Sequence, residues 1–377
     1  MVNQKLTQYN FAMSFLLASF YFFYFAIVGV YVIFLPKVLA MALYTPSEIG
    51  LILGAAPLVR FFLPFAFTKH FRLDKKSFNI AIIVMFLSSL AFYVSIHNFY
   101  TLFFSNIGLG IGMSLILPYI EILALDHLGK ERYGKVRLFG SLGFILVALV
   151  LVEYLSSVEI ALIYLVVLTG MTAIFAFILV RHSYKHHAQK EDVQNDVTLF
   201  RHWKLWLGLM LMQMSFGAFY NFFTIYETAH GITLDMTINL WVFGVIVEII
   251  MLYIQGRFLK FNLLLLLEIS IFSAVIRWFL LYLYPENISM LFFTQSLHAL
   301  SFALFYSASI SYLHQLYKSK VLAQQFYAGI TFGLGGFLGA IVFGYVYEYF
   351  ANYTFLVASV VAALSLLFMI LWRKELE

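Results

Sequence analysis

Long apolar runs follow one another along nearly the whole 377-residue chain. Hydrophobic residues make up 63% of the sequence and charged residues 11%, which is more apolar surface than a water-soluble domain can bury. A helix needs about 20 mostly apolar residues to cross the hydrocarbon core of a bilayer. The sequence therefore predicts an all-α membrane protein with twelve spans, at roughly 10–35, 47–68, 78–97, 99–125, 137–156, 159–181, 203–228, 234–256, 262–284, 288–316, 321–347 and 352–372.

The basic residues predict how these spans are oriented. If the N-terminus is placed inside, 20 of the 23 Lys and Arg fall on the inner side or at its edge, which is the pattern of cytoplasmic loops. We therefore expect both termini in the cytoplasm and the chain in a bacterial inner membrane. The net charge of +5 then reflects these loops and does not indicate a nucleic-acid surface. The first apolar run is too long for a cleavable signal peptide, so we expect it to remain as the first span.

One polar stretch without a span, at about 182–200, divides the chain in half. It predicts an N-terminal six-helix bundle over 1–181, a cytoplasmic linker over 182–202 and a C-terminal six-helix bundle over 203–377. Three linker histidines would allow a zinc site, but no second cluster of ligands accompanies them, so we expect a solvated linker and no metal. These histidines are His182, His186 and His187.

The two halves repeat each other in order and spacing. Asn98-Phe-Tyr-Thr-Leu-Phe-Phe matches Asn287-Ile-Ser-Met-Leu-Phe-Phe, and Gly140-Ser-Leu-Gly-Phe matches Gly333-Leu-Gly-Gly-Phe. Arg60 in the second span corresponds to Glu248 in the eighth. Such parallel repeats indicate the major facilitator architecture, with a solute site near the midplane and alternating access by rocking of the bundles.

Three ionisable residues near the middle of C-terminal spans form the first candidate site. A charge at mid-bilayer costs at least about 2.5–3.5 kcal/mol, so Glu248, Arg277 and His298 are functional candidates by default. Glu248 is the expected proton carrier, Arg277 a fixed cation that also binds an anionic solute, and His298 a group that donates, accepts or relays a proton. A purely structural ion pair is the alternative.

The N-terminal half supplies a second set of charges. Glu121 and Arg137 form a candidate solute-binding pair on adjacent spans, although Arg137 is close enough to the boundary to reach the interface instead. Arg60 either adds a positive charge to the solute cavity or serves as a gate or packing residue. Aromatic and amide side chains that we expect to face the solute are Tyr24, Tyr220 and Asn221.

The segment Tyr133-Gly-Lys-Val-Arg-Leu-Phe-Gly-Ser-Leu-Gly-Phe resembles the YGxxRxWGSxxF signature of the phenylpropionate permease group. That group belongs to the major facilitator superfamily and is related to lactose permease and to nucleoside:proton symporters. Further similar segments occur in the same order along nearly the whole chain: Ile49-Gly-Leu-Ile-Leu-Gly, Val59-Arg60-Phe61, Val247-Glu248, Val275-Ile-Arg277-Trp278 and Gln295-Ser-Leu-His298.

The resemblance implies proton-driven uptake of a small organic solute. It implies that Glu248, Arg277 and His298 match the coupling residues of lactose permease, and that Glu121 and Arg137 match its sugar-site pair. The chain departs from that permease at Ser301, where a further carboxylate would stand. It departs from its own group at Phe139, which replaces Trp, and from the superfamily's usual loop at His70-Phe-Arg-Leu-Asp-Lys-Lys.

We therefore expect a proton-coupled symporter for an aromatic or other monocarboxylate, which works as a monomer without a cofactor. A symporter of sugars or nucleosides and an exporter by proton antiport are the nearest alternatives. A membrane-embedded enzyme would need paired catalytic motifs, and the sequence shows no convincing arrangement of that kind. A receptor that does not transport would not need paired repeats with charges at mid-membrane depth.

Overall fold

The computed structural model describes residues 2–68, 74–155, 157–182 and 197–376, and within them all regular structure is helical. Three π-helical segments, Val30–Phe34, Ala299–Leu304 and Ala328–Gly335, interrupt the first, tenth and eleventh spans. The α-helices are α1 (Val2–Gly29), α2 (Leu35–Met41), α3 (Pro46–Thr68), α4 (Lys75–Val94), α5 (Phe99–Tyr154), α6 (Val158–His182), α7 (Trp203–Ala229), α8 (Leu234–Phe258), α9 (Leu263–Leu283), α10 (Ile288–Ser296), α11 (Phe305–Leu316), α12 (Lys320–Tyr327), α13 (Gly336–Phe350) and α14 (Thr354–Leu376).

These helices accommodate the twelve predicted spans. Ten helical stretches of the described residues are long and apolar enough to cross a membrane. One of them, Lys320–Leu376, has 57 residues and would be about 86 Å long if straight, so it holds two spans. They meet at Phe350, the last residue of α13, whose backbone angles (φ −143°, ψ 48°) are no longer helical. The remaining span is α7, whose buried polar side chains, among them Gln213, Ser215 and Thr224, lower its hydropathy.

The helix α5 extends from the fourth span into the fifth, with Pro118 inside it. The Tyr133 hydroxyl lies 3.2 Å from Glu121 Oε1, although twelve residues of straight helix would separate them by about 18 Å. The chain therefore reverses direction between these two residues, and α5 holds two spans, as the sequence predicts.

The first and third spans show how local chemistry shifts a predicted boundary. The first span stays helical to Met41, beyond the predicted end at residue 35, because Pro36 lies in the first turn of α2, where a missing N–H is tolerated. Residues 69–73 of the predicted loop lie outside the described residues. Asp74 then caps α4 by accepting a hydrogen bond from Ser77 N (2.8 Å), which lowers the pKa of its carboxyl.

One compact unit contains α1, α2, α4, α5 and α6. The Tyr24 hydroxyl on α1 donates to the Met113 carbonyl on α5 (2.8 Å), and the Ser89 and Thr169 hydroxyls join α4 to α6 (2.7 Å). Because a buried hydroxyl needs a partner, these bonds fix which faces of the apolar helices meet.

The other compact unit contains α3 and the helices α7 to α14, with α7 at its core. Three helices bond to α7: α9 through Trp278 Nε1 to Ser215 Oγ (3.2 Å), α8 through Trp241 Nε1 to Thr224 Oγ1 (3.1 Å), and α14 through Ser365 Oγ to the Gly208 carbonyl (2.7 Å). The polar residues that make α7 less apolar are thus the partners of its neighbours.

The helix α3 packs within this second unit along α13, although it is the second span of the N-terminal half. A Cβ on Gly344 would lie 2.8 Å from the Pro46 carbonyl and 3.3 Å from Gly50 Cα, so the two backbones are in direct contact. Packing therefore groups the spans differently from the sequence repeat. The predicted division at 181 and 203 stays a prediction, and the linker between residues 183 and 196 lies outside the described residues.

Matched positions of the two halves adopt the same local geometry. Asn98 and Asn287 each cap a helix by accepting a backbone hydrogen bond, from Thr101 N (3.0 Å) and from Met290 N (3.1 Å). Leu43 and Gly231, which are 188 residues apart, both have positive φ, at 68° and 85°. The second and eighth spans thus start after the same type of turn, as expected for homologous repeats.

We predict that Gly217→Ala destabilises the protein and that Gly256→Ala does not. A Cβ at residue 217 would lie 2.6 Å from Gly339 Cα, whereas a Cβ at residue 256 would meet nothing within 4 Å. The first change should cost about 1–3 kcal/mol by overpacking α7 against α13. The second should be neutral or add up to about 1 kcal/mol of helix propensity. Thermal unfolding of the purified variants measures both, and equal melting temperatures would contradict the close contact.

Candidate functional site

The helix α9 carries a charged residue on its buried face. Its buried positions recur every three or four residues, through Ile271, Ala274, Trp278 and Leu281, and Arg277 lies on this face. The exposed positions between them are the ones that suit lipid. Arg277 is fully buried, although a guanidinium keeps its charge in proteins.

Three side chains accept hydrogen bonds from Arg277. Its Nη2 donates to Gln295 Oε1 (2.8 Å), and its Nη1 donates to His298 Nδ1 (2.8 Å) and to Ser301 Oγ (3.4 Å). The three acceptors follow one another from the end of α10 into the π-helical segment Ala299–Leu304. π-helical turns are frequent at functional sites, and this one brings His298 and Ser301 to the same guanidinium nitrogen.

Aromatic rings complete the surroundings of Arg277. The guanidinium carbon lies 4.4 Å from the centre of the Phe219 ring and 4.5 Å from that of Trp278. Phe302 stacks on the His298 ring with the ring centres 5.0 Å apart. Ring faces stabilise a desolvated cation, so this shell compensates part of the cost of burying Arg277.

The third predicted residue, Glu248, joins the cluster through His298. Its Oε2 lies 3.6 Å from His298 Nε2, which is an ion-pair distance rather than a hydrogen bond. Arg277 can only donate, so His298 Nδ1 must accept, and the ring proton lies on Nε2, facing the carboxylate. In this arrangement His298 is neutral, and its Nε2–H points towards Glu248 without forming a hydrogen bond. It cannot relay a proton unless Arg277 first releases Nδ1.

Glu248 is the end of this cluster that reaches out of the protein interior. Its side chain is 24% exposed, whereas that of His298 is 7% exposed. Gly244, one turn earlier on α8, lets this helix approach the cluster, since a Cβ there would lie 3.3 Å from Gln295 Oε1. The structure therefore brings the three predicted coupling residues together, in the order Arg277, His298, Glu248 from the inside outwards.

Two buried donors of the cluster have no acceptor among the described residues: Arg277 Nε and Gln295 Nε2. Arg277 also has no carboxylate within ion-pair distance in this part of the chain. A buried cation with unused donors favours the approach of an acceptor, for instance the Glu248 carboxylate after a side-chain rotation.

The first unit holds the other predicted pair. Arg137 Nε lies 3.7 Å from Glu121 Oε1, and the Tyr133 hydroxyl donates to the same oxygen (3.2 Å). Both side chains of the pair are about one-third exposed, at 31% for Arg137 and 34% for Glu121. Both residues belong to α5 and lie on either side of the point where the chain reverses direction, so the reversal brings them together.

Aromatic rings also flank Arg137. Its guanidinium carbon lies 3.9 Å from the centre of the Phe25 ring and 5.4 Å from that of Tyr21. A guanidinium over a ring face can still bind a planar carboxylate through its N–H groups. The Arg137 cluster, meaning Arg137, Glu121, Tyr133, Tyr21 and Phe25, is thus suited to bind a polar group of a solute.

The other predicted solute-binding residues are distributed differently. Tyr220 lies within electrostatic range of Glu248 and Arg277, with its ring centre 5.5 Å from that of Phe216. Tyr24 is buried and bonds to the Met113 carbonyl, and the Asn221 amide donates to the Gly217 carbonyl of its own helix (2.8 Å). Arg60 is half-buried on α3 and has no hydrogen-bond or ion-pair partner among the described residues.

Arg277, Gln295, His298, Ser301 and Glu248 form what we call the Arg277 cluster. The sequence did not predict a role for Gln295 in this cluster, and it did not indicate Glu227 as a candidate. Gln295 carries no charge, so the cost of burying a charge does not single it out. Glu227 lies at the end of a predicted span, where an acid is expected to reach water, but it is fully buried. The described residues contain no group of three or more His, Asp or Glu that could hold a metal, and His186 and His187 lie outside them.

Comparison with known proteins shows the family to which this chain belongs. The model of the MFS_1 like family matches residues 15–357. A protein of Escherichia coli (strain K12) described as a probable 3-phenylpropionic acid transporter is 25% identical in an alignment of 365 residues that covers 92% of this chain and 94% of that protein.

Solved structures of transporters share the fold. The nucleoside transporter NupG aligns with a TM-score of 0.78 at 16% identity, over 96% of this chain and 99% of NupG. A D-xylose-proton symporter aligns with a TM-score of 0.67 at 15% identity, over 95% of this chain and 97% of the symporter. With its family match over most of its length and its transporter fold of two six-helix repeats, the chain belongs to the MFS_1 like family of the major facilitator superfamily and is a multi-pass membrane transporter.

Proposed function

We propose that this transporter couples the uptake of a small organic solute to the entry of a proton, with Glu248 as the residue that binds the proton. The observation that carries this proposal is the graded burial from Arg277 through His298 to Glu248, which leaves one acid in contact with both the buried cluster and the outside of the unit. No cofactor enters the proposal, because the proton gradient supplies the energy.

The cluster gives Glu248 two different states. When Glu248 is ionised, it is attracted to the His298 Nε2–H and to the charge of Arg277 behind it. When Glu248 is protonated, this attraction is lost, and the carboxyl group no longer holds the cluster. Proton binding therefore changes the energy of the packing around α8, α9 and α10, which is the coupling that a symporter needs.

We assign the solute's polar group to the Arg137 cluster and not to Arg277. Arg277 is fully buried and already donates three hydrogen bonds, whereas Arg137 is partly exposed and has one carboxylate partner. The flat guanidinium and the neighbouring rings suit an aromatic monocarboxylate. The E. coli relative is described as a probable transporter of 3-phenylpropionic acid, which belongs to this class.

A sugar or nucleoside is the second candidate class of solute. The Arg137 cluster supports it as well, because Glu121 and Tyr133 offer acceptors and donors for hydroxyl groups. The fold is shared with transporters described as carrying nucleosides and D-xylose. Export by proton antiport is a third possibility, in which the solute leaves the cell as the proton enters.

The proposed orientation places both termini in the cytoplasm of a bacterial cell, because basic residues concentrate on that side of the spans. The turn before α8, at Gly231, then faces outwards. We propose that the protein works as a monomer in the lipid bilayer, since each unit holds its own cluster in a single chain.

We predict that Glu248→Gln abolishes accumulation of the solute by a pH gradient but leaves exchange of solute across the membrane. A gradient of one pH unit is worth 1.36 kcal/mol per proton, so one coupled proton supports about tenfold accumulation at equilibrium. The amide keeps the shape of Glu248 and cannot cycle a proton. Proteoliposomes with an imposed pH gradient, and then with equal pH and labelled solute inside, measure the two activities.

Glu286→Gln is the matched control, because Glu286 is an exposed acid of the same unit that takes no part in the cluster. It should accumulate solute as the unmodified protein does. Tenfold accumulation by the Glu248→Gln variant would show that the proton is carried elsewhere, and accumulation driven only by a reversed gradient would indicate antiport.

The response to membrane potential should identify the class of solute. One proton that enters with a monocarboxylate anion carries no net charge, so a potential without a pH gradient should not drive uptake. One proton with a neutral sugar or nucleoside moves one positive charge, and about 59 mV would then drive tenfold accumulation. Uptake into vesicles with a potassium diffusion potential measures this, and a potential-driven accumulation would exclude the carboxylate assignment.

We predict that Arg137→Gln weakens solute binding by about tenfold to 150-fold, which corresponds to the loss of one charge-assisted hydrogen bond of 1.5–3 kcal/mol. Arg181→Gln is the control, because Arg181 also lies over a phenylalanine ring of the first unit, at 4.3 Å from the centre of Phe177, but outside the cluster. Thermal stabilisation by a panel of carboxylates, sugars and nucleosides measures binding. Equal loss of affinity in both variants would contradict the assignment.

A further inference from the structure

Glu227 is an acid of the second unit that has no part in either cluster. It lies in the last turn of α7 and is fully buried, and neither of its carboxyl oxygens has a hydrogen-bond partner among the described residues. The described part of the chain also places no lysine or arginine within ion-pair distance of it. It is thus a buried carboxyl group without any of the partners that normally compensate its charge.

The end of α7 around Glu227 is closed by aromatic packing. Phe222 stacks on Tyr347 of α13 with the ring centres 5.1 Å apart, and Tyr226 packs against Phe355 of α14 at 4.8 Å. Within this part of the unit Glu227 is fully buried, although the turn at Gly231 begins only one helical turn later.

Few ionisable groups face this position. Tyr226 on α7 and Tyr347 on α13 lie within electrostatic range of Glu227, Tyr282 on α9 lies within range of Tyr226, and His230 follows in the turn, with its Nδ1 at 2.8 Å from the Tyr226 carbonyl. Neither carboxyl oxygen of Glu227 has a hydrogen-bond partner on the described residues of α3, α8 or α14. The surroundings therefore contain phenols, one neighbouring histidine and no strong cation.

A carboxylate at this place would be unfavourable for three reasons. It would be dry, it would be unpaired, and it would lie at the negative end of the α7 dipole. The neutral acid avoids all three. A metal cation would need several oxygen ligands, whereas one proton suffices, so the proton is the occupant that fits this site.

The Glu227 site is separate from the cluster formed by Arg277, His298 and Glu248. Glu227 follows Phe219, the α7 residue that packs on Arg277, by eight residues, or about 12 Å along the helix. Its position beside the turn means that a proton enters and leaves from that side alone. Such a proton is not carried across the membrane, so the site adds nothing to the coupling stoichiometry.

We propose that Glu227 is a one-sided pH sensor: protonated, it holds the end of α7 closed against α13 and α14, and ionisation opens this end to water. Glu227 is neutral when the end of α7 is closed and ionised when this end is open to water. Low pH therefore favours the closed packing and high pH the open one. An effect of this opening on transport would rest on the proposed function, whereas proton binding by Glu227 does not.

Thermal unfolding against pH tests the proton site without any transport. In the folded protein Glu227 is buried and neutral, whereas in the unfolded chain it is exposed and ionises as the pH rises. The free energy of unfolding of the unmodified protein therefore decreases as the pH rises above the range in which an exposed glutamate ionises. We expect the melting temperature to fall by about 2–4 °C more between pH 5 and pH 8 in the unmodified protein than in Glu227→Gln. Glu286→Gln, the exposed acid, should keep the unmodified profile. Equal pH profiles for Glu227→Gln and the unmodified protein would overturn the proposal.

Cysteine labelling tests the opening. The chain has no cysteine, so single substitutions report one position each. Thr354→Cys places a thiol at a fully buried position next to Phe355, and Ala229→Cys places one at an exposed position at the end of α7. The exposed site corrects for the ionisation of the thiol itself.

We expect the corrected maleimide labelling of Thr354→Cys to rise with pH on the side of the Gly231 turn, and to stay slow at every pH when Glu227→Gln is added. A rise that persists in the double variant would overturn the sensor role. Accumulation in a pH gradient separates the two proposals: Glu227→Gln should retain the tenfold accumulation that Glu248→Gln loses. Loss of accumulation in Glu227→Gln would make this residue a carrier and would overturn the one-sided sensor.

Discussion

The cost of burying the Arg277 guanidinium determines how the second unit is built. Arg277 cannot give up its proton, so it lies inside a membrane protein only where acceptors and ring faces replace water. Gln295, His298 and Ser301 supply the acceptors, and the π-helical turn after α10 brings the last two to one nitrogen. Phe219 and Trp278 supply the rings. Helix α8 packs closely beside this cluster at Gly244, where a Cβ would lie 3.3 Å from Gln295 Oε1, and Glu248 follows one turn later.

The same constraint decides which acid can handle a proton. Because Arg277 donates to His298 Nδ1, the histidine presents its own N–H to Glu248 and has no free lone pair. The absence of a further carboxylate at Ser301 is consistent with this arrangement, since that residue accepts from Arg277 instead. This is why we propose Glu248, and not His298, as the residue that binds the proton. In the first unit the Arg137 and Glu121 side chains are more exposed, so solvent screens their charges and leaves them available to a solute.

Sequence reasoning predicted the parts of this structure that depend on composition and on local patterns. The apolar runs predicted the spans, the repeated Asn98 and Asn287 segments predicted equivalent helix starts, and the cost of mid-membrane charge selected the three residues that form the Arg277 cluster. Hydropathy cannot show which helix lies beside which, so it did not predict that α3 packs along α13. That contact depends on close approach at Gly50 and Gly344, which one sequence does not distinguish from other glycines in spans.

Glu227 shows why position along a span is a poor guide to the state of an acid. It stands as near to the end of its helix as an ordinary boundary residue, but it is fully buried at the place where Phe222 and Tyr226 pack against Tyr347 and Phe355. Glu248 stands near the middle of its span, but it reaches the outside of the unit and has His298 as a partner. The acid near the end of its span is thus the buried one, and the acid near the middle of its span is the partly exposed one. An acid with both a partner and an opening can exchange a proton during a cycle, whereas an acid with neither can ionise only when the packing around it changes.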